Sequence, residues 1–296
     1  MATPPLIELR GISALRQGFL ALRDVSLELE AGETLFAMGV AGSGKSVLVK
    51  TAAGVLIPDE GEVLYKGRSL ARMSEREEIA FRKATGFVFQ DAALWSNQTL
   101  FENLSLPARV HEPRWGKAEI ERAVRRAAEL VGYGQDLGAR PAELSSGERK
   151  LIGLARALVL DPELLFMDDP TADLDESSAG RVPALVDELK SRGRSMIIAS
   201  AASEFAQACA DSIAVLIGGS LAARGTYAEA TSWTEPSVRE VTGRLKPRAA
   251  PEPAWLKGLE GAWVSALADE DTITDSPRNG GEVPSPEGEG KGKDGR

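Results

Sequence analysis

The chain has 296 residues, with 35 Lys and Arg against 44 Asp and Glu, a formal net charge of −9, one cysteine and one histidine. A lone Cys209 excludes a disulfide framework and fits a reducing compartment, and a lone His111 excludes a histidine metal cluster. The acidic balance excludes a nucleic-acid binder relying on general phosphate neutralisation, and the length suits one large domain or two small ones.

The opening MATPPLIELRG carries Glu8 and Arg10 where a signal peptide needs an unbroken apolar run. The later apolar stretches Met196–Ala202 and Ile213–Ile217 are far shorter than the ~20 residues that span a bilayer, so any membrane role is expected at the surface. From Leu6 to about Arg244, short β-like runs alternate with glycine turns and helical stretches, the pattern of an α/β fold.

Within that region, Gly39–Ser46 reads GVAGSGKS and fits G-x-x-x-x-G-K-[ST], with an apolar strand over Thr34–Met38 before it and a helix over Ser46–Ala53 after it. Glycines let the backbone N–H groups of Gly39, Val40, Ala41, Gly42, Ser43 and Gly44 turn towards phosphate oxygens, and the helix aims its positive end at the same anion. Lys45 is expected on the β- and γ-phosphates and the Ser46 hydroxyl on Mg²⁺. Further on, LLFMDDP (Leu164–Pro170) reads as an apolar strand ending in Asp168, placed to hold the Mg²⁺ shell, with Asp169 next to orient or deprotonate the attacking water.

Beyond Arg244 the pattern loosens. Trp255, Leu256, Leu259, Trp263, Val264 and Leu267 share one face of an expected amphipathic helix, docked on its own domain or on a partner. Ser276–Arg296 is Gly- and Pro-rich with Val283 as its only aliphatic residue, and is expected to be disordered.

Over nearly all of Leu6–Gly243 the chain resembles the nucleotide-binding subunits of ABC transporters. ALRDVSLELEAGE leads into the phosphate loop and AGVLIPDEGEVLYKG follows it; Gln90 in GFVFQD matches the family's glutamine loop. LSSGE (Leu144–Glu148) matches the signature segment, and Asp175 matches the aspartate of the loop that crosses the dimer interface. The resemblance implies an α/β P-loop NTPase core, a RecA-like sheet with an antiparallel β subdomain, and an α-helical signature subdomain at about residues 91–158. The nucleotide-binding domain would cover residues 6–243, an extension 244–275 and a tail 276–296. It implies ATP and Mg²⁺ as cofactors, with Ser46, Gln90 and Asp168 at the metal, and Asp169 and Gln90 at catalysis. Ser145, Ser146, Gly147 and Glu148 would meet a partner's ATP, because two subunits sandwich two nucleotides; the dimer is homomeric or made with another ABC ATPase.

The signature segment also has a local reading, since Ser145 and Glu148 form an S-x-x-E capping box. The family usually has Gly-Gly-Gln at Ser146–Glu148, and a carboxylate near a triphosphate is mildly unfavourable. FQDAALWSNQTLFENLSLPARVH resembles ATPases of Mla-type phospholipid transporters, which implies permease and MCE-domain partners at the cytoplasmic face of the cell membrane, and no nucleic acid. In that stretch Leu94 and Trp95 are expected to line a groove for a cytoplasmic helix of the permease; the plainer reading of Leu94, Trp95, Leu100 and Phe101 is packing of the helical subdomain.

Two departures stand out. Asp169 occupies the place of the family's catalytic glutamate, and Ala201, after Ser200, the place of its switch histidine. His111 lies about twenty residues after Gln90 and is read as a solvated surface residue, not a substitute. The shortened and missing groups predict hydrolysis slowed by roughly 10²–10⁴, with ATP binding kept. Leu15 and Phe19 are the candidates for stacking the base. The expected function is thus a transporter ATPase subunit with weak hydrolysis. The alternatives are a non-hydrolysing ATP-dependent scaffold and the degenerate half of a heterodimer.

Overall fold

The computed structural model describes residues 4–172, 174 and 180–248. Asp175, the Trp255–Leu267 stretch and the Ser276–Arg296 tail therefore lie outside the described residues. By chain contacts the molecule divides into a unit Met1–Arg248 and a unit Ala249–Arg296.

Strands β1 (Ile7–Arg16) and β2 (Phe19–Leu29) form an antiparallel hairpin, closed by Gln17 and Gly18 at φ 52° and 81°. Two consecutive positive φ values are what a two-residue hairpin turn needs to match the strand twist. In β1 Ile7 and Leu9, and after a register shift at Gly11, Ile12 and Ala14, point inward while Arg10 faces solvent: two period-two runs of a strand with one covered face, joined by a bulge. The phosphate-loop strand β3 (Thr34–Met38) follows, then β4 (Glu60–Tyr65) and β5 (Arg68–Ser69), which complete an antiparallel sheet of order β2-β1-β4-β5.

The second sheet holds β6 (Thr85–Val88), β7 (Leu164–Asp168), β8 (Ser195–Ala199), β9 (Ser212–Ile217) and β10 (Ser220–Thr226) together with β3. Its order is β10-β9-β3-β8-β7-β6; β10 joins antiparallel at one edge and the other pairings are parallel. All five residues of β3, of β7 and of β8 are buried, which is why these strands read as unbroken apolar runs rather than alternations. Successive residues serve two cores. Leu35, Ala37, Leu164 and Phe166 pack with the antiparallel sheet and helix α1 (Lys45–Ala52), whereas Phe36, Met38, Leu165 and Met167 pack towards the helices on the opposite face.

After β5, helix α2 (Glu75–Ala84) leads into β6. A helical layer then intervenes before β7: α3 (Leu100–His111), α4 (Lys117–Leu130) and α5 (Ser146–Leu158). Both α3 and α5 begin in complete capping boxes, Thr99 with Glu102 and Ser145 with Glu148, each satisfying amides that the first helical turn leaves unpaired. Leu100 is fully buried and Leu94 and Phe101 pack against the same core. The expectation that Leu94 lines a groove is therefore corrected: it is half-buried against the helical core and is not among the groove's lining residues, while Trp95 stays 55% exposed and lines it.

Past β7 come α6 (Arg181–Ser191), α7 (Ser203–Cys209), α8 (Tyr227–Ala230) and α9 (Pro236–Thr242). The packed chain runs on beyond the boundary expected at Gly243. Leu245 is buried, the Tyr227 hydroxyl donates to the Lys246 carbonyl at 2.8 Å, and the Arg248 guanidinium donates to the carbonyls of Gln207 and Ala210, each at 2.7 Å.

Candidate nucleotide site

The parallel pairings fix where the chemistry gathers. Ala199 of β8 stands beside both Ala37 of β3 and Asp168 of β7, so the carboxyl ends of three strands meet at one edge. That edge carries the Gly39–Ser46 loop after β3, Asp168 and Asp169 at the end of β7, and Ser200 and Ala201 after β8. Crevices at the carboxyl ends of parallel strands are where open α/β sheets bind ligands.

The loop depends on its glycines. A Cβ on Gly39 would stand 2.4 Å from the Leu216 carbonyl oxygen, and one on Gly44, at φ 101°, would stand 2.5 Å from the Ala21 carbonyl oxygen. Neither distance is tolerable, so the backbone curls as it does only because side chains are missing there. Lys45 Nζ donates to the carbonyls of Gly39 at 2.8 Å and Val40 at 2.9 Å, spanning the loop from inside. Burial pushes its pKa down, opposed by the charges of Asp169 and Asp168. Ser43 Oγ is buried with no hydrogen-bond partner among the described residues. Val40, Ala41 and Gly42 form the exposed rim, and Ser46 begins the second residue of α1, half-buried beside Lys45.

Asp168 is fully buried. Its Oδ2 lies 2.8 Å from Lys50 Nζ on α1, yet neither carboxylate oxygen accepts a directed hydrogen bond among the described residues. A buried carboxylate with unused acceptor positions beside a phosphate loop suits a hard cation carried by a triphosphate. No group of three or more His, Cys, Asp or Glu side chains able to hold a metal by itself occurs among the described residues. The donor set would fit Mg²⁺ brought in by a nucleotide, with Ser46 and Asp168 among the oxygens that could hold it and the phosphates completing the shell. Gln90, two residues past β6, is exposed at a turn on the same side.

Asp169 takes φ 47°, a left-handed conformation that is rare for a residue with a side chain and rarer still before a proline such as Pro170. Its N–H donates to the Ala199 carbonyl at 2.9 Å. Ser200 Oγ donates to Asp169 Oδ1 at 3.4 Å and accepts from the Ala202 N–H at 3.1 Å. Lys150 Nζ, from α5, donates to the Asp169 carbonyl at 3.1 Å and also to the Ala172 carbonyl. Burial raises the Asp169 pKa, while Lys150, the Ser200 hydroxyl and Lys45 act to lower it. No imidazole stands at the strand end, where Ala201 is exposed; His111 closes α3 in the helical layer.

The sequence missed Lys50, Ser200 and Lys150. A signal for Lys150 was present, because Gly147, Lys150, Leu151, Leu154 and Leu158 fall at offsets 0, 3, 4, 7 and 11 on one buried stripe of α5.

Ser145 and Ser146 are exposed at the N-terminus of α5, and Gly147 is buried beneath them. Glu148 is drawn back onto the helix start: its carboxylate accepts from the Ser145 N–H and from Gln135 Nε2, each at 2.8 Å. Leu15 is 47% and Phe19 79% exposed on the β1–β2 hairpin, whose Ala21 touches the phosphate loop at Gly44.

A separate cavity of about 480 Å³ opens beside the helical layer, lined by Phe89, Trp95, Val110, His111, Arg156 and Leu160 among others. His111 is thus half-buried in a groove wall and not a solvated surface residue; burial, and then Arg82, lower its pKa. No described helix is long and apolar enough to cross a membrane.

Residues 22–172 match the ABC transporter family. The chain is 30% identical to the probable ribonucleotide transport ATP-binding protein mkl of Mycobacterium bovis over 284 residues, 95% of this chain and 77% of that protein. It is 32% identical to the methionine import ATP-binding protein MetN of Symbiobacterium thermophilum, across 80% of this chain and 72% of the relative. Among solved structures, cbiO1 from Clostridium perfringens, part of the transporter complex cbiONQ, superposes with a TM-score of 0.66 at 26% identity, covering 82% of this chain and 96% of that one. The fold also matches the dimeric ATP-binding cassette MJ0796 bound to ADP and Pi, with a TM-score of 0.70 at 24% identity over 74% of this chain and 98% of that one. With the phosphate loop, the buried aspartate and the capped helix α5 on one such fold, the chain belongs to the ABC transporter family as an ATP-binding subunit.

Proposed function

We propose that this chain dimerises around two ATP molecules and drives a membrane permease of Mla type, moving phospholipid together with MCE-domain partners at the cytoplasmic face of the cell membrane. The observation carrying the nucleotide part is the shared strand edge, where Lys45, Asp168, Asp169 and Ser200 converge on the glycine loop. Lys45 exchanges its two loop carbonyls for phosphate oxygens when ATP enters, a gain for an ammonium that burial has already partly desolvated. Ser46, Asp168 and Gln90 would hold Mg²⁺, which neutralises charge on the phosphates when bound. Asp169 orients or deprotonates the attacking water, and its short reach with no histidine at position 201 slows that step.

The exposed N-terminus of α5 points the positive end of the helix, at Ser146 and Gly147, towards the partner's γ-phosphate. Because Glu148 is engaged by Ser145 and Gln135, its charge is spent within the cap. The groove beside Trp95 and Val110, 55% and 61% exposed, suits an apolar cytoplasmic helix of the permease. The lipid reading rests on the likeness of the Phe89–His111 stretch to Mla-type ATPases.

The departures at Asp169 and Ala201 favour one second reading. In a heterodimer this chain would lend its signature segment to an intact partner while its own site turned over little. Light scattering on purified protein with Mg-ATP tests both. An ATP-dependent dimer that is lost in Lys45→Ala supports the homodimer; a monomer that binds ATP and pairs only with a second ABC ATPase supports the heterodimer. Failure to bind ATP at all overturns either. Lipid transfer by permease-containing liposomes, dependent on this subunit and on ATP, tests the cargo.

A further inference from the structure

Lys150 is a lysine in the interior. It is 6% exposed, on the buried stripe of α5, where an uncompensated ammonium would be strongly disfavoured. Its Nζ reaches the Asp169 carbonyl at 3.1 Å and the Ala172 carbonyl. Those two carbonyls belong to the turn that leaves β7, and the Ala172 N–H donates back to the Asp169 carbonyl at 3.2 Å. The turn needs holding, because Asp169 sits at φ 47° immediately before Pro170. On its other side Asp169 is anchored by the bond from its N–H to the Ala199 carbonyl at 2.9 Å.

We infer that Lys150 is a positioning residue: from the helix that carries the signature segment, it clamps the Asp169 turn so that the carboxylate is held towards the phosphate loop. This deepens the hydrolytic reading and rests on it for its kinetic consequence, but the clamp itself is a property of the folded chain. The residue type follows from the geometry. A linear side chain ending in several donors can serve two carbonyls three residues apart, whereas an apolar side chain of the same length would take a donor away from each in a buried place. The connection also ties α5 to the turn directly, so a shift of the signature helix is felt at Asp169.

The test uses the full chain as Lys150→Met and Lys150→Arg, read two ways. Hydrogen exchange of the peptide spanning residues 165–172 is expected to quicken at least tenfold in Lys150→Met, with β3 and β8 peptides unchanged. In single-turnover hydrolysis of Mg-ATP, the rate is expected to fall at least tenfold with ATP affinity held within twofold, and Lys150→Arg is expected to restore most of both effects. Exchange unchanged in Lys150→Met overturns the clamp. Faster exchange with an unchanged rate, or a loss of ATP affinity equal to the loss of rate, overturns the positioning role. A wild-type chain that binds ATP without hydrolysing it, while Lys150→Met still loosens the turn, overturns the hydrolytic reading and leaves the clamp standing.

Discussion

Supplying the longer carboxylate and the imidazole that the proposed hydrolytic reading finds missing at Asp169 and Ala201 is the most direct perturbation of this site. In the double variant Asp169→Glu, Ala201→His the backbone positions are already neighbours: the Asp169 N–H bonds the Ala199 carbonyl at 2.9 Å, and residue 201 follows two places later. The aspartate carboxylate is held close to the strand end, with Oδ1 3.4 Å from Ser200 Oγ. Glutamate extends it by one methylene, and a misplacement of about 1 Å at a catalytic group is worth ~10² in rate. A histidine at the exposed position 201 adds a donor aimed at charge developing on the phosphate, worth ~10²–10³ for one such donor. The effects are not additive, because the groups act as a unit. The combined gain is therefore set at roughly 10²–10⁴, equivalent to about 2.7–5.5 kcal/mol of transition-state stabilisation. Single-turnover hydrolysis with protein in excess over Mg-ATP measures it, with both single variants completing the cycle. A native chain that already matches the double variant, with equal ATP affinity, refutes the reasoning.

Other predictions follow from the same geometry. Lys45→Ala removes the charge spanning the loop and should weaken ATP binding by roughly 10–100-fold, the worth of a charge-assisted hydrogen bond, while leaving the melting temperature close to wild type; calorimetric titration and thermal melting check both. Gly153→Ala places a Cβ 3.0 Å from the Ala92 Cα where α5 packs on the segment after Gln90. It should cost about 1–3 kcal/mol by overpacking, and denaturant unfolding at wild-type stability would contradict the contact. Cys209, fully buried with its pKa pushed up to about 12, should not react with an aromatic disulfide reagent at pH 8 until urea unfolds the chain. His111 binds its proton less readily folded than unfolded, so stability should fall as pH drops through its ordinary value of 6.5. The melting temperature of His111→Asn should then vary less between pH 7.5 and 5.5 than that of the wild type, and an equal or larger dependence removes the groove-wall account.

Much of the site was legible because its signals are local. A phosphate loop needs glycines at fixed places between a strand and a helix, and a capping box needs its serine and glutamate three residues apart; both requirements are written in consecutive residues, and Gly39–Ser46 and Ser145–Glu148 take the forms their spacing dictates. The uninterrupted apolar runs at Leu35–Met38 and Leu164–Met167 likewise announce strands covered on both faces. Helix periodicity could have marked Lys150 as interior, but not what it would meet. Leu94 and Trp95 show the limit from the other side: adjacent, both apolar, and indistinguishable by pattern, one packs half-buried against the helical core and the other lines the groove.

By itself, then, the sequence determined the α/β layering and the glycine-rich phosphate loop, and pointed to Asp168, Asp169 and Ala201 as positions of interest, since each depends on residue identity and near-neighbour spacing. Only the tertiary structure decided which strand ends stand together, because parallel neighbours in this sheet are far apart in the chain: Ala37, Asp168 and Ala199 meet through hydrogen-bond register. It alone paired Lys50 with Asp168, turned Lys150 onto the Asp169 backbone, brought Gln135 onto Glu148 and set His111 in a groove wall. A buried charge must find its partner wherever the fold supplies one, and sequence spacing carries no record of contacts made across a sheet or between layers.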